Sequence, residues 1–247
     1  MNLLLLEPGE VDETGRATIR GRRARHVRQV LRAAPGQQLR AGLLDGPIGL
    51  AEIEAIADDE LTVKAKFDQV APAAVDAVLM AVPRPKVLLR MLGHAAALGF
   101  GRIILLRTWR VDKSHLASTA MDPTTQREHL VLGLEQAGRT MLPRVDFFPL
   151  FRPFVEDRLP MLGLPPARFV ADPRAPTGTE AIALGRAAAF ALALGPDGGL
   201  LPYEVEQLAS CGFLPVHCGR QPLRTETALA VMTGQLDLVR RQATVQA

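Results

Sequence analysis

Apolar positions in the first third of the chain come in short runs separated by turn signals: EPGE, DETG, AAPG and LDGP. The runs LLLLE, RATI, QLRAGL, GLAEIEAI and LTVKAKF are short and bounded by turns, as strands of a small barrel or sandwich are. Between them, Arg22 to Leu31 is predicted to form a helical turn region. DQVAPAAVD, from Asp68 to Asp76, reads as a connection.

Beyond it the apolar runs lengthen and alternate in kind. AVLMAV is a continuous apolar strand, VLLRMLGHAAALGF a helix ending near Gly99 to Gly101, and RIILLRTW the next buried strand. The alternation repeats: TTQREHLVLGLEQAGRTM helical, VDFFPL a strand, RPFVEDRLPMLG a helix interrupted by proline, ARFVAD a strand. AIALGRAAAFALALG mixes a helix or loop with a strand, EVEQLASCG is helical, LPVHCG a short strand, and TETALAVMTGQLDLVRRQA a long final helix. Strands apolar on both faces and separated by helices predict a mostly parallel sheet covered on both sides, so the fold class is α/β behind a small β domain.

Composition narrows the class. With 247 residues, 48% of them hydrophobic, the chain can bury a sizeable core. The opening MNLLLLEPGE lacks a basic region followed by a long apolar segment, and no apolar run reaches the roughly 18 residues of a membrane span, so a soluble cytoplasmic protein is expected. Two cysteines, Cys211 and Cys218, suit neither a disulfide framework nor a four-ligand zinc site, and no metal is expected. The net charge of +3 is unevenly spread. From Arg16 to Arg40 the chain carries Arg16, Arg20, Arg22, Arg23, Arg25, Arg28, Arg32 and Arg40 without one acidic residue. Such a block focuses positive potential on phosphates, although Arg-for-Lys bias throughout the chain leaves an ordinary solvated face as the alternative.

Two late stretches carry candidate chemistry. LALGPDGGLLPYE places glycines behind an apolar strand, where backbone can approach a ligand. It lacks the Lys and Ser/Thr of a P-loop and the spacing of a dinucleotide fingerprint, and Asp197 disfavours a polyphosphate; a ligand with a positive centre fits better. In GRQPLRTETALAVMTG, Thr225 is predicted to cap the following helix, with Glu226 in its first turn. Arg220 and Arg224 gain nothing from that helix dipole, which points to anion or base contacts.

GPDGGLLPYE followed by GRQPLRTETA resembles the paired C-terminal motifs of the RsmE family, knotted methyltransferases of the SPOUT superfamily that act on N3 of a uridine in small-subunit (16S) ribosomal RNA. HVRQVLRAAPGQ resembles the family's N-terminal RNA-contacting motif and LEQAGRTMLPRV its central segment, so the likeness spans nearly the whole chain. Ala97, Asp197, Gln221 and Pro222 depart from the usual family residues. The resemblance implies an N-terminal PUA-like β-barrel domain over residues 1–70, a linker over 71–76, and a SPOUT-type α/β domain over 77–247 with a deep trefoil knot. It implies S-adenosylmethionine as cofactor, held by Leu194, Gly195, Pro196, Gly198, Gly199, Cys218, Gly219, Leu223, Thr225 and Ala228. It implies a homodimer acting on small-subunit rRNA, within an assembled or partly assembled 30S particle. Arg22, Arg25, His26, Arg28 and Arg32 become candidate RNA contacts. Arg224, Glu226, Arg110 and Arg139 become the catalytic candidates, with Arg220 also near the base and Arg224 stabilising a developing uracil anion. A non-catalytic or weakly catalytic RNA-binding or ribosome-assembly protein, and a knotted methyltransferase acting on a different RNA atom, stand as alternatives.

Overall fold

The computed structural model describes residues 1–186, 188–219 and 221–243. Strands β1 (Leu4–Leu6), β2 (Arg16–Arg20), β3 (Gln38–Leu43), β4 (Ile48–Ile56) and β5 (Glu60–Gln69) form one sheet in the order β1-β3-β4-β5-β2, with helix α1 (Arg22–Gln29) packed on it. Alternation sets the inner face: Ala17, Ile19, Ala51, Ile53, Leu61 and Val63 point to one side, where Ala24 and Val27 of α1 complete a separate small core. The end strands β1 and β2 do not pair with each other, so the expected barrel is an open, curled sheet.

The remaining strands are β6 (Asp76–Ala81), β7 (Phe100–Leu106), β8 (Arg144–Phe148), β9 (Ala167–Ala171), β10 (Phe190–Leu194) and β11 (Leu214–Val216). They are all parallel, in the order β11-β9-β10-β6-β7-β8. Helices α2 (Pro85–Leu98), α3 (Lys113–Leu116), α4 (Pro123–Ala137), α5 (Phe151–Pro153), α6 (Pro202–Ser210) and α7 (Thr225–Gln242) connect and cover them. Every residue of β6 and β10 is buried, as expected of central strands with a layer on each face. The order reverses between β6 and β10, because β7 and β8 are laid down on one side and β9, β10 and β11 on the other.

The two sheets do not float apart. Leu3, Leu5, Leu44 and Ile48 join the core beneath β6, α2 and α7. The backbone N–H groups of Asn2 and Leu3 donate to the carbonyl of Glu135, and the Thr140 hydroxyl donates to that of Gly46 at 2.7 Å. The N-terminal sheet is thereby held where α4 ends and β8 begins, the edge from which the parallel strands start.

Several expectations need correction. RIILLRTW is not a strand throughout: β7 stops at Leu106, a turn closes from the Thr108 carbonyl to the Val111 N–H, and Trp109 faces solvent. Thr225 does not cap α7. It is the first helical residue, one position inside the extended N-cap Arg224, and its hydroxyl instead donates to the Gly195 carbonyl at 3.3 Å. RPFVEDRLPMLG breaks into α5, a π turn over 154–158 and a 3-10 turn over 159–162. Asp76, read as the end of the connection, begins β6 and accepts both the Phe190 N–H and the Arg240 guanidinium.

Candidate active site

A cavity of about 640 Å³ opens at the carboxyl ends of β9, β10 and β11, beside the point where strand order reverses. That is where open parallel sheets leave room for ligands, since the loops leaving neighbouring strands diverge there. Its walls are the β9 exit, the glycine turn after β10, the stretch after β11, and the first two turns of α7. Leu194, Gly195, Pro196, Gly198, Gly199, Cys218, Gly219, Leu223, Thr225 and Ala228 all line it, and so does Arg224.

The glycine turn has reasons to be glycine. A Cβ on Gly195 would lie 2.7 Å from the Leu200 backbone nitrogen, and Gly198 and Gly199 adopt φ of +87° and +76°, the left-handed region that side chains resist. The Gly199 N–H closes the turn on the Pro196 carbonyl at 2.8 Å. From across the rim, the Arg110 guanidinium donates to the carbonyls of Gly198 and Gly199. The downstream Glu204 is buried, and its two carboxylate oxygens accept the N–H groups of Leu201 and Trp109, each at 2.8 Å. One acid therefore ties the β7 exit to the start of α6.

Polar groups in the cavity are matched to a weakly charged ligand. Burial alone would raise the Asp172 carboxyl, but hydrogen bonds from the Arg174 side chain and backbone outweigh it and hold the group below the ordinary carboxylate range. Burial pushes the Cys218 thiol up, so it is neutral near pH 7 and no nucleophile. Leu194, Val216, Leu223, Ala228 and Met232 supply an apolar wall. Asp172, Arg174, His217 and Met232 were not singled out from the sequence. Their one legible signal was position, at the carboxyl end of a parallel strand or on the α7 face below the glycine turn.

The other candidates divide by edge of the sheet. Arg224 lines the cavity, and its guanidinium makes no hydrogen bond among the described residues; Arg110 is outside that lining and touches it only through the Gly198 and Gly199 carbonyls. Glu226 turns away to Arg90 of α2 at 2.8 Å, a hydrogen bond that holds its carboxyl below the usual range. The Arg139 guanidinium packs over Gly99, just before β7, at the opposite edge. Arg220 lies outside the described residues.

The basic helix α1 shares that opposite edge. Arg22 pairs at 2.8 Å with Glu135, a carboxylate only 2% exposed in the last turn of α4. Arg25 and Arg28 pair with Asp59 and Asp58 from the turn between β4 and β5. Folding thus brings acids to a block that has none in sequence, although such exposed pairs are weak enough for phosphate to displace. Arg32 is exposed and makes no ion pair among the described residues. Burial, the N-terminal amine and Arg22 all push the His26 imidazole down, so it is a polar contact rather than a cation near pH 7.

Among the described residues no group of acids, histidines and cysteines could hold a metal ion, and no helix is long and apolar enough to cross a membrane. The model of the RNA methyltransferase domain matches residues 72–237, and that of the RNA methyltransferase PUA domain matches residues 19–66. The chain is 30% identical over 234 residues to ribosomal RNA small subunit methyltransferase E of Treponema pallidum, covering 92% of this chain and 87% of that protein. The fold is similar to ribosomal RNA small subunit methyltransferase E from Neisseria gonorrhoeae bound to S-adenosyl methionine, with TM-score 0.72, 19% identity and coverage of 99% and 98% of the two chains. It is similar also to a Legionella pneumophila protein described as a methyltransferase in complex with the bound cofactor SAM, with TM-score 0.69, 23% identity and 98% coverage of each. By the match of both domain models and the span of the Treponema relative, the chain belongs to the ribosomal RNA small subunit methyltransferase E family of the SPOUT superfamily.

Proposed function

We propose that this chain methylates N3 of a uridine in small-subunit ribosomal RNA, using S-adenosylmethionine bound in the cavity at the ends of β9, β10 and β11. The observation that carries the reading is the lining of that cavity: ten residues assigned to the cofactor by motif, distant in sequence, surround one space large enough for a nucleoside with an amino-acid tail. The residues suit that cofactor. Apolar side chains can flank an adenine, the Asp172 and Asp197 carboxylates are each offset by an arginine, Arg174 and Arg84, and the close turn at Gly195 presents backbone rather than side chain. When bound, the cofactor supplies an electrophilic methyl group on a sulfonium.

The chain's own residues would do the rest. The glycine turn and the loop ending at Thr225 orient the cofactor, and holding the partners in line accounts for much of the rate gain in such a transfer. As N3 loses its proton to water, charge builds on the uracil ring, and Arg224, which lines the cavity, would stabilise it. Arg110 holds the glycine turn through its two carbonyls. Glu226, turned to Arg90, is better read as fixing the start of α7 than as touching the base.

The reading includes a homodimer, with the N-terminal sheet of residues 1–70 as the RNA-contacting domain and the parallel sheet from Asp76 onward, with its helices, as the transfer domain. Within one chain, α1 and Arg139 lie at one edge of the parallel sheet and the cavity at the other. A single RNA target can meet both when they come from different copies. The stretches lining the cavity would also be the crossings of the trefoil knot.

Two measurements test the function. Calorimetry should show S-adenosylmethionine binding to the purified chain. Mass analysis of small-subunit rRNA, incubated as 30S particles with protein and cofactor, should show methylated uridine modified at N3. Cofactor binding with no modified nucleotide would favour an assembly role, and a methyl group on ribose or another base would favour the different-atom alternative.

A further inference from the structure

The chain has one tryptophan, and it sits where an enzyme of RNA would want an aromatic surface. Trp109 is 82% exposed. Single exposed apolar side chains are common, and alone this would mean little. Its surroundings give it meaning. The Trp109 N–H is fixed by the buried carboxylate of Glu204, and the next residue, Arg110, grips the carbonyls of the glycine turn that lines the cavity. The ring therefore stands on a backbone tied on one side to Glu204 and, through its neighbour Arg110, to the glycine turn that lines the cavity. Within seven residues Arg107, Arg110 and Lys113 supply three cations against the single acid Asp112.

We infer that Trp109 is a stacking platform for a nucleobase of the RNA, either the target uracil or its neighbour; the inference rests on the proposed function. Aromatic faces bind bases of any identity, and flanking cations hold the phosphates on either side of the stacked base. A clamped backbone lowers the ordering cost of that contact. The local charge argues against the other common use of such a side chain, an interface between copies, because a two-fold contact there would set like-charged clusters against each other.

Because Trp109 is the only tryptophan, emission excited at the long-wavelength edge, where Tyr203 does not absorb, reports on it alone. Titration of the full chain with a single-stranded, uridine-containing RNA should quench the emission, whereas heparin, a polyanion without bases, should bind without comparable quenching. Trp109→Ala should weaken RNA binding roughly tenfold to hundredfold, with cofactor affinity unchanged, and Trp109→Phe should recover most of the loss. Wild-type protein that methylates rRNA yet shows unquenched emission, with Trp109→Ala binding RNA normally, would overturn the inference and leave the function standing. A blue shift on raising protein concentration without RNA would assign the ring to a protein interface and overturn it as well. If the wild type neither binds RNA nor transfers methyl, the function fails and takes this inference with it.

Discussion

Gly198 and Arg224 illustrate how a single residue can carry a site for reasons that differ from those its motif suggests. A Cβ at Gly198 would meet only the Arg110 side chain, at an ordinary 3.7 Å, so crowding is not the constraint. The constraint is φ of +87°, which a β-branched residue resists strongly. Gly198→Val should therefore distort the turn and weaken S-adenosylmethionine binding about tenfold or more, as calorimetry would read, while the N-terminal sheet stays folded by circular dichroism. Arg224 is an exposed guanidinium at the cavity, with no hydrogen bond among the described residues to define its geometry before substrate arrives. Arg224→Lys keeps the charge and loses the planar fork. With RNA and cofactor saturating, single-turnover transfer should fall by roughly 10² with little change in either affinity. An equal collapse of RNA binding would instead make Arg224 an anchor.

Helices show the same dependence on neighbours. In α1, Arg25 and Arg28 are paired with Asp59 and Asp58, while Arg32 is unpaired among the described residues, so phosphates compete with carboxylates at two of the three positions. Changing all three to Gln should lower affinity for small-subunit rRNA and reduce the slope of log K against log salt by about 2, given roughly 0.7 per phosphate contact on a single strand. An unchanged slope would mean that α1 is a solvated face. Between α2 and α7 the tie is Arg90 to Glu226, whose carboxyl lies below its ordinary value because Arg90 donates to it. A depressed carboxylate stabilises the fold above the unfolded-state value and loses that contribution as pH falls through the folded one. Thermal melts should accordingly place wild type above Glu226→Gln at neutral pH, with the gap closing below the normal carboxylate range. A gap that persists in acid would mean that the pair's charge is not its role.

For the molecule as a whole, the separation of α1 and Arg139 from the cavity makes a sharp demand on assembly. Chains carrying Arg25→Gln, Arg28→Gln and Arg32→Gln, mixed and re-equilibrated with chains carrying Arg224→Lys, should regain activity that neither has alone. If each site takes α1 from one copy and the cavity from the other, half of a random mixture is hybrid and half of its sites are intact, so roughly a quarter of wild-type activity should return. No recovery in a verified mixed dimer would place both functions within one chain. Much of this architecture was legible beforehand, because the period of apolar residues and the turn residues between runs are local properties; β3 and the AVLMAV strand could be read within a residue of their ends. The glycines after β10 were legible too, since a left-handed turn restricts residue type at its own positions. What could not be read was anything set by partners far along the chain. Thr225 meets Gly195, Trp109 is held by Glu204, and Glu226 turns to Arg90, and none of these pairings leaves a local mark. Strand order, the edge on which each arginine stands and the acids that meet the basic helix were settled only when distant segments packed together, because those choices depend on the shared burial of whole elements rather than on the preference of any one residue.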